Sequence, residues 1–332
     1  MIVLCLKISY TILTAACRIA IPHPMNNLSD DVVLITSTGR GLGRELAVQL
    51  SFLGCTIVCW DSNEYANRAT MNAILENGGK VYGFVVDVSN RQEVCKTACM
   101  MRNAGIPDIT ILINNSAVSL QQNFLHQNLY QIEEIFRVNV MPNFWAIEAF
   151  LPIMIQNNKG HIVSVSSVCG LYGLPNRVAY CTSRLAVTSL MDALCEKFKS
   201  QSKGSKINFT TVYPYFFDSE LIEGPKYRFP FIFGAVSEKT AAQKIVEAIR
   251  RNYSEYSIPR AFMILDSMNR PAHLRLLKDR SPHCSLAGDH LCLWFSIVVH
   301  SQSLLSLLIQ KSEHCWSCVN VNKKQQHLCT MI

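Results

Sequence analysis

Residues 31–61 constrain the fold more than any other part of this chain. Asp31-Val-Val-Leu-Ile-Thr36 is a short apolar run with strand composition. Ser37-Thr-Gly39-Arg-Gly41-Leu-Gly43 follows, and Arg44 to Leu53 has helical periodicity. A second apolar run, Cys55-Thr-Ile-Val-Cys-Trp60, ends in Asp61. The order is strand, glycine-rich turn, helix, strand. Glycines let the backbone approach a pyrophosphate, and a helix N-terminus offers free N–H groups and the positive end of its dipole. An acid about 20 residues past the glycines fits a bond to ribose hydroxyls.

The alternation continues. Candidate strands are Val32–Thr36, Thr56–Trp60, Val81–Val86, Ile109–Ile113, His161–Val165 and Asn208–Val212. Helical segments lie between them at Gly41–Leu53, Glu64–Glu76, Arg91–Ala104, Leu129–Gln156 and Ala179–Ser200. Near-continuously apolar strands separated by helices imply a parallel sheet covered on both faces. The expected fold is α/β, a Rossmann-type doubly wound parallel sheet in a single domain over residues 30–270. Its ligand belongs beyond the carboxyl ends of the strands. Gly39, Asp61, Ser116, Ser167 and Pro214 all fall at or just after such ends.

Tyr180 and Arg184 stand four residues apart in a helical segment, with Ser167 thirteen residues before the tyrosine. Positions i and i+4 share a helix face. An ordinary phenol titrates at about 10, so tyrosine works as acid or base near neutral pH only when its phenolate is stabilised, and a nearby cation does this.

These motifs together resemble the short-chain dehydrogenase/reductase family over about Asp31 to Pro259. The family's glycine motif maps onto Thr36, Ser37, Gly41 and Gly43, with Gly39 an additional glycine. Its acid-Val pair matches Asp87-Val88, and its Asn-Asn-Ala-Gly motif matches Asn114-Asn115-Ser116-Ala117. Its catalytic asparagine, serine and tyrosine match Asn139, Ser167 and Tyr180, and its lysine position is Arg184. Its Pro-Gly motif falls on Pro214-Tyr215, with Ser219 where a threonine holds the nicotinamide carboxamide. The resemblance implies cofactor contacts from Thr36, Ser37, Gly39, Arg40, Gly41, Leu42 and Gly43, and from Asp61, Asp87, Val88, Asn114, Tyr180, Arg184, Pro214 and Ser219. Within the family the chain resembles the membrane- and lipid-droplet-associated branch. That branch holds 17-beta-hydroxysteroid dehydrogenases of types 11 and 13 and epidermal retinol dehydrogenases. The cues are Cys59-Trp-Asp61, Phe150-Leu-Pro152, Ala179-Tyr-Cys181, Pro214-Tyr-Phe216 and Lys244 to Ile249.

The implied reaction is oxidation of a lipophilic alcohol or reduction of its ketone or aldehyde. Tyr180 takes the hydroxyl proton, Ser167 positions the oxygen, and Asn139 holds a water that links the lysine to solvent. Three departures bear on that chemistry. Arg184 keeps the charge of the lysine, but a guanidinium is planar, bulkier and not deprotonated. Ser37 adds a Cβ where a turn asks for glycine angles. Ser116-Ala117 replaces Ala-Gly. A catalytically impaired scaffold at a membrane or lipid droplet is therefore the alternative to an active enzyme. Asp61 favours NAD by repelling a 2′-phosphate, whereas Arg40 favours NADP. The carboxylate at the ribose decides for NAD, with NADP the alternative.

The 332 residues include fourteen cysteines. Those inside the predicted strands and helices read as buried free thiols, which suits a reducing compartment. In the tail only Cys315-Trp-Ser-Cys318 has metal-ligand spacing, and a matching pair is missing, so no metal is expected. A net charge of +7 is spread without a basic stripe, which argues against nucleic acid.

Residues 1–24 are apolar apart from Lys7 and Arg18 and close on Pro22-His-Pro24. They read as an interfacial or hairpin anchor with snorkelling cations, or as an apolar helix packed on the domain. The expected location is the endoplasmic reticulum membrane or a lipid droplet, with the domain facing the cytosol. An aromatic-rich stretch, residues 220–234, resembles a substrate lid. Residues 271–332 form a divergent tail in which Leu291–Ile309 carries no charge and is a second membrane candidate. A homodimer is an allowed assembly that the sequence leaves open.

Overall fold

The structure is a computed structural model that describes residues 22–201, 206–215, 236–260 and 262–263. Among them, seven strands form one sheet: β1 (Val32–Thr36), β2 (Thr56–Asp61), β3 (Lys80–Val85), β4 (Ile111–Asn114), β5 (Gly160–Val165), β6 (Ile207–Pro214) and β7 (Glu255–Ile258). Every neighbouring pair is parallel, in the order β3-β2-β1-β4-β5-β6-β7. The chain winds outward from β1 to β3, returns to β4 beside β1, and winds outward the other way. The reversal opens a crevice at the carboxyl ends of β1 and β4, where ligands of such sheets bind.

The helices are α1 (Gly41–Ser51), α2 (Glu64–Glu76), α3 (Arg91–Asn103), α4 (Leu129–Asn139), α5 (Met141–Gln156), α6 (Val178–Gln201) and α7 (Glu238–Arg250). Strand alternation divides the core in two. Val33 and Ile35 of β1 and Ile57 and Cys59 of β2 face a layer with Leu46, Leu50, Ile245 and Ile249 of α1 and α7. Val32, Leu34, Val58 and Trp60 face the opposite layer, with Val94, Ile147, Phe150 and Met191 of α3, α5 and α6. Burial on both faces explains why these strands read as unbroken apolar runs. Helix starts are set by side-chain caps: Asn63 accepts from Ala66 N at 3.0 Å, and Asn128 and Gln131 form a capping box.

Three expectations change. The single helix expected over Leu129–Gln156 breaks at Val140. Pro142 is the reason, because it lacks an N–H and its ring clashes with the carbonyl one turn back. Past the break Asn143 N turns to Val140 O at 3.1 Å, and the Asn139 carbonyl it leaves accepts from Asn143 Nδ2 at 2.9 Å. The fourth strand begins at Ile111 rather than Ile109, and beside that start Val32 N donates to the Thr110 hydroxyl, at 2.9 Å, rather than to a backbone carbonyl. The seventh strand was not expected. It is a four-residue edge strand with Glu255 and Ser257 in it, too short and polar to stand out.

Leu129–Gln156 is also the one stretch among the described residues long and apolar enough to cross a membrane. Its Ala146, Phe150 and Met154 are buried in the core, which accounts for that composition. The N-terminal link is fastened to the end of α7: Asn26 N donates to Arg250 O at 2.7 Å, and Arg250 Nε returns a bond to Asn26 O at 3.0 Å. Residues 1–21 of the expected anchor, the lid with Ser219, and the tail from residue 271 lie outside the described residues. His161 is buried in mid-sheet, with Nε2 2.7 Å from Thr210 Oγ1.

Candidate active site

The turn after β1 folds back on the end of β2. Ser37 N and Thr38 N both donate to Trp60 O, at 2.7 and 3.3 Å. Thr38 Oγ1 donates to Asn67 Oδ1 at 2.7 Å. Gly39 N donates to Asp61 Oδ2 and Asn63 N to Asp61 Oδ1, both at 2.8 Å. The Asp61 carboxylate is thus held by two backbone amides, with lone pairs left over for hydroxyl donors.

Glycine is required in this turn by contact. A Cβ on Gly43 would lie 1.9 Å from Ser37 O, so α1 starts hard against the loop. Arg40, exposed and extended, precedes α1 without a side-chain cap, which leaves the first helical amides free of one. Leu42 is buried and anchors the helix start in the core. Ser37 has φ +60°, the left-handed region that the sequence reading anticipated at this position.

Sequence reasoning missed Glu238. Its Oε1 is 3.0 Å from where a Cβ on Gly41 would stand. Burial and the Glu45 carboxylate push the Glu238 carboxyl up, and Arg40 pulls the other way. The cation that would favour a 2′-phosphate therefore has the Glu238 carboxylate as a neighbour.

At the end of β4 the two asparagines divide their work. Asn115 Nδ2 donates to Thr36 O at 3.0 Å and to Ser37 O at 3.3 Å. Thr36 Oγ1 accepts from Asn115 N and Ser116 N, at 2.9 and 3.1 Å. Thr36 thus clamps β1 to the chain after β4. Asn114 is buried, and neither end of its amide has a partner among the described residues. An orphaned amide is costly without a ligand, so Asn114 suits a hydroxyl-bearing group in the crevice. Asp87 is exposed beyond β3 and caps Ser89 N at 2.9 Å, while Val88 is buried against the core.

Ser167 follows β5 as the N-cap of a one-turn helix, Val168–Gly170. Its hydroxyl donates to Pro214 O at 3.3 Å, at the end of β6, and accepts from Cys169 N at 3.2 Å. Tyr180 is half-buried in the first turn of α6. Arg184 is buried one turn later, and its guanidinium carbon lies 5.1 Å from the centre of the Tyr180 ring. Arg184 Nη1 donates to Val165 O at 3.2 Å, and Nε has no partner among the described residues.

Asn139 is fully buried behind the tyrosine. Its amide bonds the backbone of Val118 twice, accepting from N at 2.8 Å and donating to O at 2.9 Å. Nδ2 also donates to Ser183 Oγ at 3.0 Å, and Ser183 donates to Tyr180 O at 2.7 Å. Behind Asn139, Asn143 takes a bond from Ser164 of β5 at 2.9 Å. Sequence reasoning missed Asn143, Ser164 and Ser183; a buried asparagine in the otherwise apolar α5 was the available signal.

Comparison with known proteins agrees with this geometry. The sequence matches the short chain dehydrogenase family over residues 31–227. It is 37% identical to short-chain dehydrogenase/reductase family 16C member 6 of Bos taurus over 241 residues, 72% of this chain and 76% of that protein. It is 35% identical to human epidermal retinol dehydrogenase 2 over 245 residues, 73% and 78% of the two chains. The fold is that of a short-chain dehydrogenase/reductase from Burkholderia phymatum solved with NAD, with a TM-score of 0.64 at 24% identity, covering 80% of this chain and 100% of the other. With the family match spanning more than half of the chain and the doubly wound sheet described above, the chain belongs to the short-chain dehydrogenase/reductase family.

Proposed function

We propose that this protein interconverts a lipophilic primary or secondary alcohol, of retinol, steroid or fatty-alcohol type, and its carbonyl. The observation that carries the reading is how Ser167 and Tyr180 are fastened to the carboxyl edge of the sheet. Ser167 is bonded to the last residue of β6, and the tyrosine's helix to the last residue of β5 through Arg184. A relative named for retinol supports the substrate class.

Tyr180 moves the proton at the substrate hydroxyl, and Ser167 Oγ donates to the same oxygen. The Ser167 bond to Pro214 O is long enough to be exchanged for that donation. A nicotinamide dinucleotide, when bound, supplies or removes the hydride. The amides of residues 39–43, the Asp61 carboxylate, the Asn114 amide and the Arg184 guanidinium are the groups suited to hold it. NAD is favoured, because Asp61 is fixed by two amides and Arg40 has the Glu238 carboxylate near it.

One observation favours a second reading, an impaired enzyme kept as a scaffold. Arg184 donates to the backbone of β5, whereas the lysine it replaces serves ribose and a proton relay in the family resemblance. The purified protein, assayed on retinols, steroids and fatty alcohols with both cofactors, separates the two. Cofactor binding without turnover across the panel supports the scaffold.

The proposal includes a membrane or lipid-droplet surface of the endoplasmic reticulum as the working location, with the domain in the cytosol. The apolar residues 1–24 and the free cysteines of the domain support it. Deleting residues 1–24 and 291–309 together abolishes membrane partition on this reading; unchanged partition removes it. A second copy of the chain has apolar surface to meet at Phe144 and Leu185, both exposed.

A further inference from the structure

We propose that Cys169 and Cys181 are a redox-modification site whose disulfide reversibly shuts this active site. The two residues stand on the elements that carry its working groups. Cys169 lies in the one-turn helix that Ser167 caps, and Cys181 follows Tyr180 in α6. Both are free and buried, and their thiols are hydrogen-bonded to each other.

The surroundings make the pair unequal. Cys181 Sγ accepts from Leu174 N at 3.4 Å, and Arg177 adds positive charge nearby. The hydrogen bond from Cys169, then that amide and charge, bring the Cys181 thiol down, against burial. The same hydrogen bond and burial push Cys169 up. Cys181, whose sulfur already accepts a backbone amide, is therefore the attacking thiol and Cys169 the resolving one. The loop before Cys181 is where a small oxidant would enter: Gly173, Pro175 and Asn176 are exposed, and among the described residues nothing lies within 4 Å of the Cβ position of Gly173.

The oxidant required is a hydroperoxide, such as hydrogen peroxide. The Cys181 thiolate attacks the peroxide, an S–O bond forms, the O–O bond breaks, and hydroxide leaves to become water. The Cys169 sulfur then attacks the Cys181 sulfur, the S–S bond forms, and the S–O bond breaks. The second hydroxide takes the Cys169 proton. Two thiols lose two electrons, and one peroxide becomes two waters. A disulfide of about 2.05 Å is shorter than any thiol hydrogen bond, so the turn and the helix must close up by on the order of an ångström. Cys169 N is bonded to Ser167 Oγ, so the closure drags the serine away from its present position.

The test is a peroxide titration of the full chain, quenched with N-ethylmaleimide and read by peptide mass spectrometry. The expected first product is the Cys169–Cys181 cross-linked peptide, reversed by dithiothreitol. In Cys169→Ala the product becomes a dimedone-reactive Cys181. Turnover is expected to fall at least about fivefold in the cross-linked protein and to return on reduction. Oxidation of other cysteines while Cys181 stays alkylatable, or cross-links to a third cysteine, overturns the site. Full turnover in cross-linked protein overturns the gating. The thiol chemistry does not depend on the dehydrogenase reading. If no substrate turns over, the mass spectrum still decides the site, and binding of NADH to oxidised and reduced protein decides the gating.

Discussion

The guanidinium of Arg184 lies against the ring of Tyr180, 5.1 Å from its centre, and donates to Val165 O at 3.2 Å. The cation thus meets the π face of the tyrosine while part of it is spent on the sheet. Arg184→Lys removes the bulk and offers a point charge with three rotatable donors. The expected outcome is at least about a tenfold rise in kcat on a good lipophilic alcohol, or about 1.4 kcal/mol of barrier. Tyr180→Phe should abolish turnover and leave cofactor affinity, followed by tryptophan fluorescence, nearly unchanged. A fall in kcat for Arg184→Lys would show that the site has adapted to the guanidinium.

Asp61 offers a direct handle on cofactor choice. Asp61→Asn keeps the shape but loses the charge and replaces one acceptor by a donor facing Gly39 N or Asn63 N. The dissociation constant for NADH should rise about tenfold, equivalent to about 1.4 kcal/mol, while that for NADPH changes less. Titration of both cofactors against wild type and variant measures this. A larger loss for NADPH than for NADH would contradict the assignment to NAD.

Ser37 has φ +60°, where a Cβ is crowded. Ser37→Gly relieves this at the cost of a more flexible unfolded chain. The net gain should be on the order of 1 kcal/mol, seen as a rise in Tm of roughly 2–4 °C. A lowered Tm would mean that the serine hydroxyl does more for the turn than its backbone costs.

His161 makes acid stability predictable. Burial holds its pKa near 4, against an ordinary value of 6.5, with Asp31 opposing. The unfolded chain therefore binds a proton below about pH 6.5 that the folded chain refuses until about pH 4. Stability from this group is complete above pH 6.5 and is lost as pH falls toward 4, by roughly 3 kcal/mol in all. Denaturant melts across that range should show the loss in wild type and a shallower one in His161→Gln. Equal slopes would remove His161 as the cause.

Much of this was readable before any coordinates. The first strand–turn–helix–strand unit falls within two residues of its expected bounds, because its strands are buried on both faces and its turn is marked by glycines. The strain at Ser37 was legible too, since a serine stood where a turn needs glycine angles. The break at Val140 was written in Pro142 but hidden by an apolar pattern that runs through it. The roles of Asn143, Ser183 and Glu238 depend on which elements meet in space, and local spacing carries no signal for that. Arg184 was expected beside ribose. Its bond to Val165 depends on how far α6 stands from β5, which one sequence does not specify.

Asn139 closes α4 with an amide that grips Val118 on one side and Ser183 on the other. Each residue of helix turns a side chain by about 100°. Inserting or removing a single residue between the Asn128 cap and Asn139 would swing the amide away from both partners together. The solvent-facing side of α4, which includes Leu129 and Tyr130, carries no such demand. This stretch is thus free to change its chemistry from one protein to another and is bound to keep its length.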